Sequence, residues 1–225
     1  MANISTYRNQ KLEEKINNCQ FRTRVDLRKQ KLTDSDMEFV IQEGIHNKQC
    51  TMLWLTNNQI TSQSISMLAS ILHENTTLEG LSVCHNDLFD SDLLYLTQAL
   101  SNRTSGLGRL ALTSNRITDK GVEYLADMLR TNRSLVQLWL GFNYISDDGV
   151  KFLADILSFH NRTLQVISLA WNNLITDASI DYFIDMFESN QTLRTVCLSN
   201  CNFSDFGRKK LREAAKLHTE FYLDL

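Results

Sequence analysis

Aliphatic and polar positions along the chain recur in one fixed order. An aliphatic residue is followed three positions on by a second, two on by a third, then after three by Asn and after two by a last aliphatic. One copy is Cys50, Leu53, Leu55, Asn58 and Ile60, and the next is Leu78, Leu81, Val83, Asn86 and Leu88. Three more follow: Leu107, Leu110, Leu112, Asn115 and Ile117; Leu135, Leu138, Leu140, Asn143 and Ile145; Leu164, Ile167, Leu169, Asn172 and Leu174. A further copy, Leu193, Val196, Leu198, Cys201 and Phe203, has Cys in the Asn slot, and a weaker early one runs through Val25, Leu27, Gln30 and Leu32. The Asn slot falls at 30, 58, 86, 115, 143, 172 and 201, in steps of 28 or 29 residues. Six steps this regular mark an array of one structural unit.

Each unit has two halves. The central aliphatic pair has period two and predicts a short strand with one buried face. Downstream the period lengthens: Val122, Leu125, Ala126 and Leu129 follow Thr118 and Asp119. That spacing predicts a helix with Thr118 or Asp119 at its N-terminus and Asn132 as a left-handed C-terminal cap. Asp147, Gly149, Val150, Leu153, Leu157 and Asn161 repeat the scheme. Alternating strands and helices put all strands parallel in an α/β fold. Where the chain leaves each strand, backbone polar groups need partners, and a buried amide has two donors and an acceptor for them. Asn58, Asn86, Asn115, Asn143 and Asn172 are therefore expected to form a structural ladder.

The motif, its 28–29 residue period and the Thr118–Leu129 helix pattern resemble the ribonuclease-inhibitor class of leucine-rich repeats, over residues 20–218. The repeat domains of NOD-like receptors share that resemblance. It implies a right-handed solenoid of about seven βα repeats, with parallel strands on the concave face and helices on the convex one. Curvature also follows from spacing, since strands pair about 4.8 Å apart and helices about 8–10 Å apart. Residues 1–20 are expected to supply an N-terminal capping helix, 21–205 the repeats, and 206–225 a C-terminal capping helix. The first cap is expected over 7–19 with Leu12, Ile16 and Cys19 on one face; Arg208 and Lys210 make the last helix polar, as a finished end needs. Leu223 and Leu225 suggest one more strand.

Composition fits a repeat array: 33 Leu, 19 Asn and no Pro in 225 residues. The net charge of −3 argues against nucleic acid or an anionic membrane as partner, and the acidic 61–205, with 9 basic and 16 acidic groups, reads as a solvated face or, alternatively, as a dock for a basic partner. The acidic groups, among them Asp119, Asp127, Asp147 and Asp177, are expected mainly on a solvated outer face. No apolar run is long enough for a membrane helix, and the polar N-terminus is no signal peptide. Five scattered cysteines then favour free thiols and a cytoplasmic setting. Tyr95, Tyr124, Phe152 and Tyr182 recur on successive helices and are expected to pack helix to helix. Sequons occur at Asn3, Asn75, Asn102, Asn132, Asn161, Asn190 and Asn202, and the five from Asn75 to Asn190 recur near the repeat period and are expected as by-products of the residues that end each helix.

No metal, phosphate-loop or nucleophile-elbow motif is present. Cys197 with Cys201, and Cys84 with His85, are better read as strand and ladder positions than as a metal pair or a nucleophile with its base. No cofactor is expected. The informative positions point outward from the strands. They hold all three tryptophans and only two charges, Glu79 and Arg109, over the five copies from Thr51 to Trp171. Trp139, Phe142 and Trp171 are expected to cluster. With Trp54, His85 and Arg109 they define a candidate partner-binding surface, since exposed aromatics away from a core mark protein-binding hot spots. The sequence thus points to a monomeric, non-enzymatic interaction module or scaffold for a protein partner, including signalling or immune-type sensing. Two alternatives come from the resemblance. A ribonuclease-type inhibitor would need a strongly acidic contact face, and a GTPase activator of the Ran type an acidic tail; the C-terminus here is basic.

Overall fold

The computed structural model describes residues 9–104, 106–217 and 220–225. Among the described residues, eight three-residue strands form one parallel sheet in chain order: β1 (Arg24–Asp26), β2 (Met52–Trp54), β3 (Gly80–Ser82), β4 (Arg109–Ala111), β5 (Gln137–Trp139), β6 (Val166–Ser168), β7 (Thr195–Cys197) and β8 (Tyr222–Asp224). Helix α1 (Gln10–Asn17) precedes β1. Seven helices then alternate with the strands: α2 (Asp34–Phe39), α3 (Ser62–Leu72), α4 (Asp90–Leu100), α5 (Asp119–Thr131), α6 (Asp147–Phe159), α7 (Ile180–Ser189) and α8 (Asp205–Ala215). Helix α2 continues as a π-helical segment, Val40–Asn47, and a 3₁₀ turn, Asp177–Ser179, leads into α7. The resulting seven βα units and a final strand make a right-handed α/β solenoid, with strands on the inner, concave face because they pack closer than helices.

The central residue of each strand points inward. Val25, Leu53, Leu81, Leu110, Leu138, Ile167 and Val196 are at most 2% exposed and stack in register from strand to strand. Helix residues close the same core from the other side, for example Val122, Leu125 and Leu129. The expected helix over 7–19 is Gln10–Asn17, with Leu12 and Ile16 buried; positions 7 and 8 lie outside the described residues. Leu223 sits in β8, and Leu225 packs against the core just beyond it.

Three hydrogen-bonded rows tie the units together. In the first, the Oδ1 of Asn143 accepts from the backbone N–H of Asn115 at 3.2 Å and of Ile117 at 3.1 Å, in the preceding unit. Its Nδ2 donates to the carbonyls of Leu112 and Leu140. Asn58, Asn115 and Asn172 repeat this pattern, Asn86 accepts from the N–H of Asn58 and donates to the carbonyls of Leu55 and Cys84, and at the end the Cys201 thiol donates to Leu169 in place of an amide. Four of these amides are buried and Asn58 half-buried.

The second row is carboxylate. Asp90, Asp119, Asp147 and Asp177 each accept the backbone N–H and the hydroxyl of the Ser or Thr that caps the next unit's helix: Thr118, Ser146, Thr176 and Ser204. Three of the four are expected on a solvated face; Asp177 is exposed and Asp119 and Asp147 half-buried, and all of them bridge units.

The third row corrects the helix ends. Asn132 is extended (φ −68°, ψ 134°) rather than left-handed, and caps through its side chain. Its Oδ1 accepts from the N–H groups of Ser134 and Leu135, while its Nδ2 donates to Leu100. Asn161 and Asn190 do the same one and two units on. These three sequon asparagines are buried, so their amides are closed to glycosylation in the folded chain. Asn102 and Asn202 are exposed, and Asn3 lies outside the described residues. A second correction concerns Leu174, which is 53% exposed while Ile175 is fully buried. The loop from Asn172 to the capping Thr176 is one residue longer than that from Asn143 to Ser146, so the inward position shifts by one.

Candidate protein-binding face

Outward strand residues form two rows. One register row runs Arg24, Met52, Gly80, Arg109, Gln137 and Val166; the other runs Asp26, Trp54, Ser82, Ala111, Trp139 and Ser168. Beyond the strand ends, the residue just before each ladder position turns into the left-handed region: Lys29, Asn57, His85, Ser114, Phe142, Trp171 and Asn200 have φ of 53–63°. Bulky side chains are uncommon there. Phe142 and Trp171 are nonetheless in it, and they stack with ring centroids 4.7 Å apart and planes at 11°. Both rings stay open to solvent, at 48% and 44% exposure.

Trp139 does not join that stack. It is 36% exposed and lies in register with Ala111 and Ser168, where it lines a depression shared with Trp54 and Arg109. The expected single cluster is therefore two aromatic sites. The reason is directional: Trp139 stands within β5, whereas Phe142 and Trp171 leave after the strand ends, at the left-handed turn. His85 occupies the same turn position as Phe142 and is exposed. The neighbouring Cys84 sulfur accepts a hydrogen bond from the Ser82 hydroxyl. Cys197 is on the outward face, and burial pushes its thiol pKa up. Cys201 is buried in the ladder, which pushes it up to about 11.

Two contributors were missed because they sit in the weak first copy. The guanidiniums of Arg24 and Arg28 lie 4.3 and 4.5 Å from the centre of the Trp54 ring. Arg28 also pairs with Asp26 at 2.7 Å, and its hydrogen bond holds the Asp26 carboxyl below its usual pKa. Their cue was the alternation of Arg24, Asp26 and Arg28 with the inward Val25 and Leu27. On the convex side Tyr124 and Tyr182 pack against the core, while Tyr95 and Phe152 remain largely exposed.

This motif, ladder and topology are those of leucine-rich repeats. Residues 107–126, 131–154, 160–183 and 189–211 match the family described as Leucine Rich repeat. The chain is 32% identical over 175 residues to NACHT, LRR and PYD domains-containing protein 3 of Bos taurus, covering 77% of this chain and 17% of that protein. It is 31% identical over 176 residues to NACHT, LRR and PYD domains-containing protein 9 of Bos taurus, covering 77% and 18%. The chain thus spans under a fifth of the length of these curated relatives. Among solved structures, the fold resembles that titled Leiomodin-1 Actin-Binding Site 2, with a TM-score of 0.56, 18% identity, and coverage of 68% of this chain and 86% of that one. A tropomodulin C-terminal domain from Caenorhabditis elegans gives 0.51 and 18%, covering 68% and 91%. No helix among the described residues is long and apolar enough to cross a membrane.

Proposed function

We propose that the chain is a non-enzymatic, cytoplasmic interaction module that docks a protein partner on its concave strand face as a monomer, without a cofactor. The observation that carries this reading is the solvent-open stack of Phe142 on Trp171 at two left-handed backbone positions. A left-handed conformation costs about 1–2 kcal/mol for an ordinary residue, and folding does not need bulk there, since Ser114 and Asn57 serve at equivalent sites. Rigid, preorganised rings of this kind lose little entropy on binding. The repeat-bearing NACHT, LRR and PYD relatives support a sensing or scaffolding role for the same surface. Affinity capture from native lysate tests it. Trp171→Ala abolishes recovery of the specific partner, while the convex Asp127→Ala leaves it intact. The opposite pattern moves the docking surface to the helices.

A further inference from the structure

We infer that a trough between Trp54 and Trp139 seats an acidic segment of a partner polypeptide around one bulky apolar side chain. This rests on the concave reading above and narrows it to a partner chemistry.

Trp54, Ser82, Ala111 and Trp139 follow one another across β2, β3, β4 and β5 in a single register row. The two tryptophans are three strand spacings apart, about 14 Å at about 4.8 Å each. Small residues between them keep the floor low. The result is a depression of about 250 Å³, walled by indole rings and edged by Met52, Arg28 and Arg109. Gly80 helps to shape that edge: a Cβ there would come within 2.5 Å of the Met52 sulfur, so Met52 lies flat across the glycine toward Arg109. The Arg109 guanidinium reaches the Met52 sulfur at 3.9 Å.

The residues that line the trough carry positive charge alone, with Asp26 next to Trp54 in the register row. Two guanidiniums line it and no carboxylate does. Arg28 is anchored by Asp26. Among the described residues no carboxylate pairs with Arg24 or Arg109. This positive pole sits on a chain of net charge −3, so it is a local arrangement rather than a consequence of bulk composition. Guanidiniums held beside aromatic faces bind carboxylates bidentately and with fixed geometry. A nucleic acid would want a long basic stripe to follow its phosphates, but Asp26 and the exposed Glu79 interrupt this one. A short acidic peptide with one apolar anchor matches both the walls and the rim.

The test is selection of a random peptide library on the full chain, followed by affinity measurement with the selected peptides as synthetic probes. Selected peptides carry Asp or Glu flanking a bulky apolar residue. Their affinity falls with rising salt and drops at least about tenfold on Trp54→Ala and on Arg109→Glu. Arg109→Gln, at an exposed position, gives a smaller loss in the same direction and serves should the reversal perturb folding, which circular dichroism checks. Peptides without acidic residues, or ones that tolerate both substitutions while Trp171→Ala removes them, overturn the trough and leave the concave reading standing. A single-stranded oligonucleotide that displaces the peptides and binds more tightly overturns it in favour of nucleic acid. Binding lost only on the convex Asp155→Lys overturns both readings.

Discussion

The backbone N–H of Gly149 donates to the Asp119 carboxylate at 3.0 Å, across the boundary between two successive repeats. The same carboxylate accepts from the N–H of Ser146 at 2.8 Å and from its hydroxyl at 2.6 Å. One side chain thus satisfies three donors at the start of the next helix, which otherwise lack partners within that helix. Position 149 has no Cβ to hold the carboxylate off, whereas at the equivalent site the N–H of Ser64 reaches the Asp34 carboxylate at 3.2 Å.

Gly149→Ala is therefore expected to destabilise the fold, although alanine is the better helix former. An added Cβ would lie 2.5 Å from the Asp119 oxygen and 2.7 Å from Ile145. Overpacking of this kind costs about 1–3 kcal/mol, against about 1 kcal/mol gained in helix propensity. Urea melts should show a net loss, and a double-mutant cycle with Asp119→Ala in which the two losses are less than additive would identify the carboxylate as the clash. A stabilised single variant would contradict this account.

Asn115→Leu is expected to cost about 2–4 kcal/mol, because a buried ladder position would lose both its acceptor and its donors. The Asn115 side chain accepts from the N–H groups of Asn86 and Leu88 and donates to the carbonyls of Val83 and Leu112. Glu123→Ala, on the helix surface, is expected to change stability by under about 0.5 kcal/mol. Equal effects of the two in urea melts would remove the ladder as a stabilising element.

The strand of each repeat was legible because a period-two aliphatic pair has one physical solution beside a 28–29 residue repeat. The Asn spacing was legible for the same reason. The carboxylate row was less so: the Ser/Thr–Asp pair at 118–119, 146–147 and 176–177 carried it, but an Asp in a first helical turn also suits the helix dipole alone. The left-handed turn before each ladder residue was hidden at Phe142 and Trp171, since the cue there is the Lys, Asn, His and Ser that fill its other copies. The same turn explains why Trp139 parts from the other two rings. Leu174 misled because a one-residue loop insertion leaves the overall period at 29.

Acid should weaken the fold through these carboxylates. Hydrogen bonds from Ser204 hold the Asp177 carboxyl below its usual pKa. At Asp34 burial pushes upward, but hydrogen bonds from Ser64 and Thr61 outweigh it and the net direction is down. A depressed folded pKa favours the ionised native form, so this stability is full above the unfolded value of about 3.9 and is lost as pH falls below it. Urea midpoints should stay level near neutrality and fall below about pH 4. Asp34→Asn should make that acid slope shallower; an unchanged slope would assign it to other groups.

Thiol accessibility should follow depth. Burial pushes Cys50 up to about 12 and Cys201 up to about 11, so few thiolates are present there at neutral pH. Native protein treated with iodoacetamide should leave these two unmodified while the half-buried Cys19 and Cys84 react. Denaturation without reductant should bring the mass to five modified cysteines. Early labelling of Cys201 would mean that the last ladder position opens.

Trp171→Asn separates folding from binding more sharply than truncation does. Asn tolerates the left-handed conformation that Trp171 adopts at φ 63°. Relief of that strain, about 1–2 kcal/mol, opposes the loss of the stack on Phe142, about 0.5–1.5 kcal/mol. The two nearly cancel, so the thermal midpoint should move by no more than a few degrees. Partner binding has no such compensation. The exposed face of a stacked aromatic at the centre of a docking surface contributes at least about 2 kcal/mol, or roughly thirtyfold in affinity. Asn200 already occupies the equivalent turn two strands from the Phe142 site, so the backbone accepts this residue without rearrangement. Thermal melts and partner affinity measured on the same preparation decide the matter. A Trp171→Asn protein that folds and binds fully shows the stack to be incidental. One that unfolds shows the ring to be structural, because the other copies of this turn fold without it.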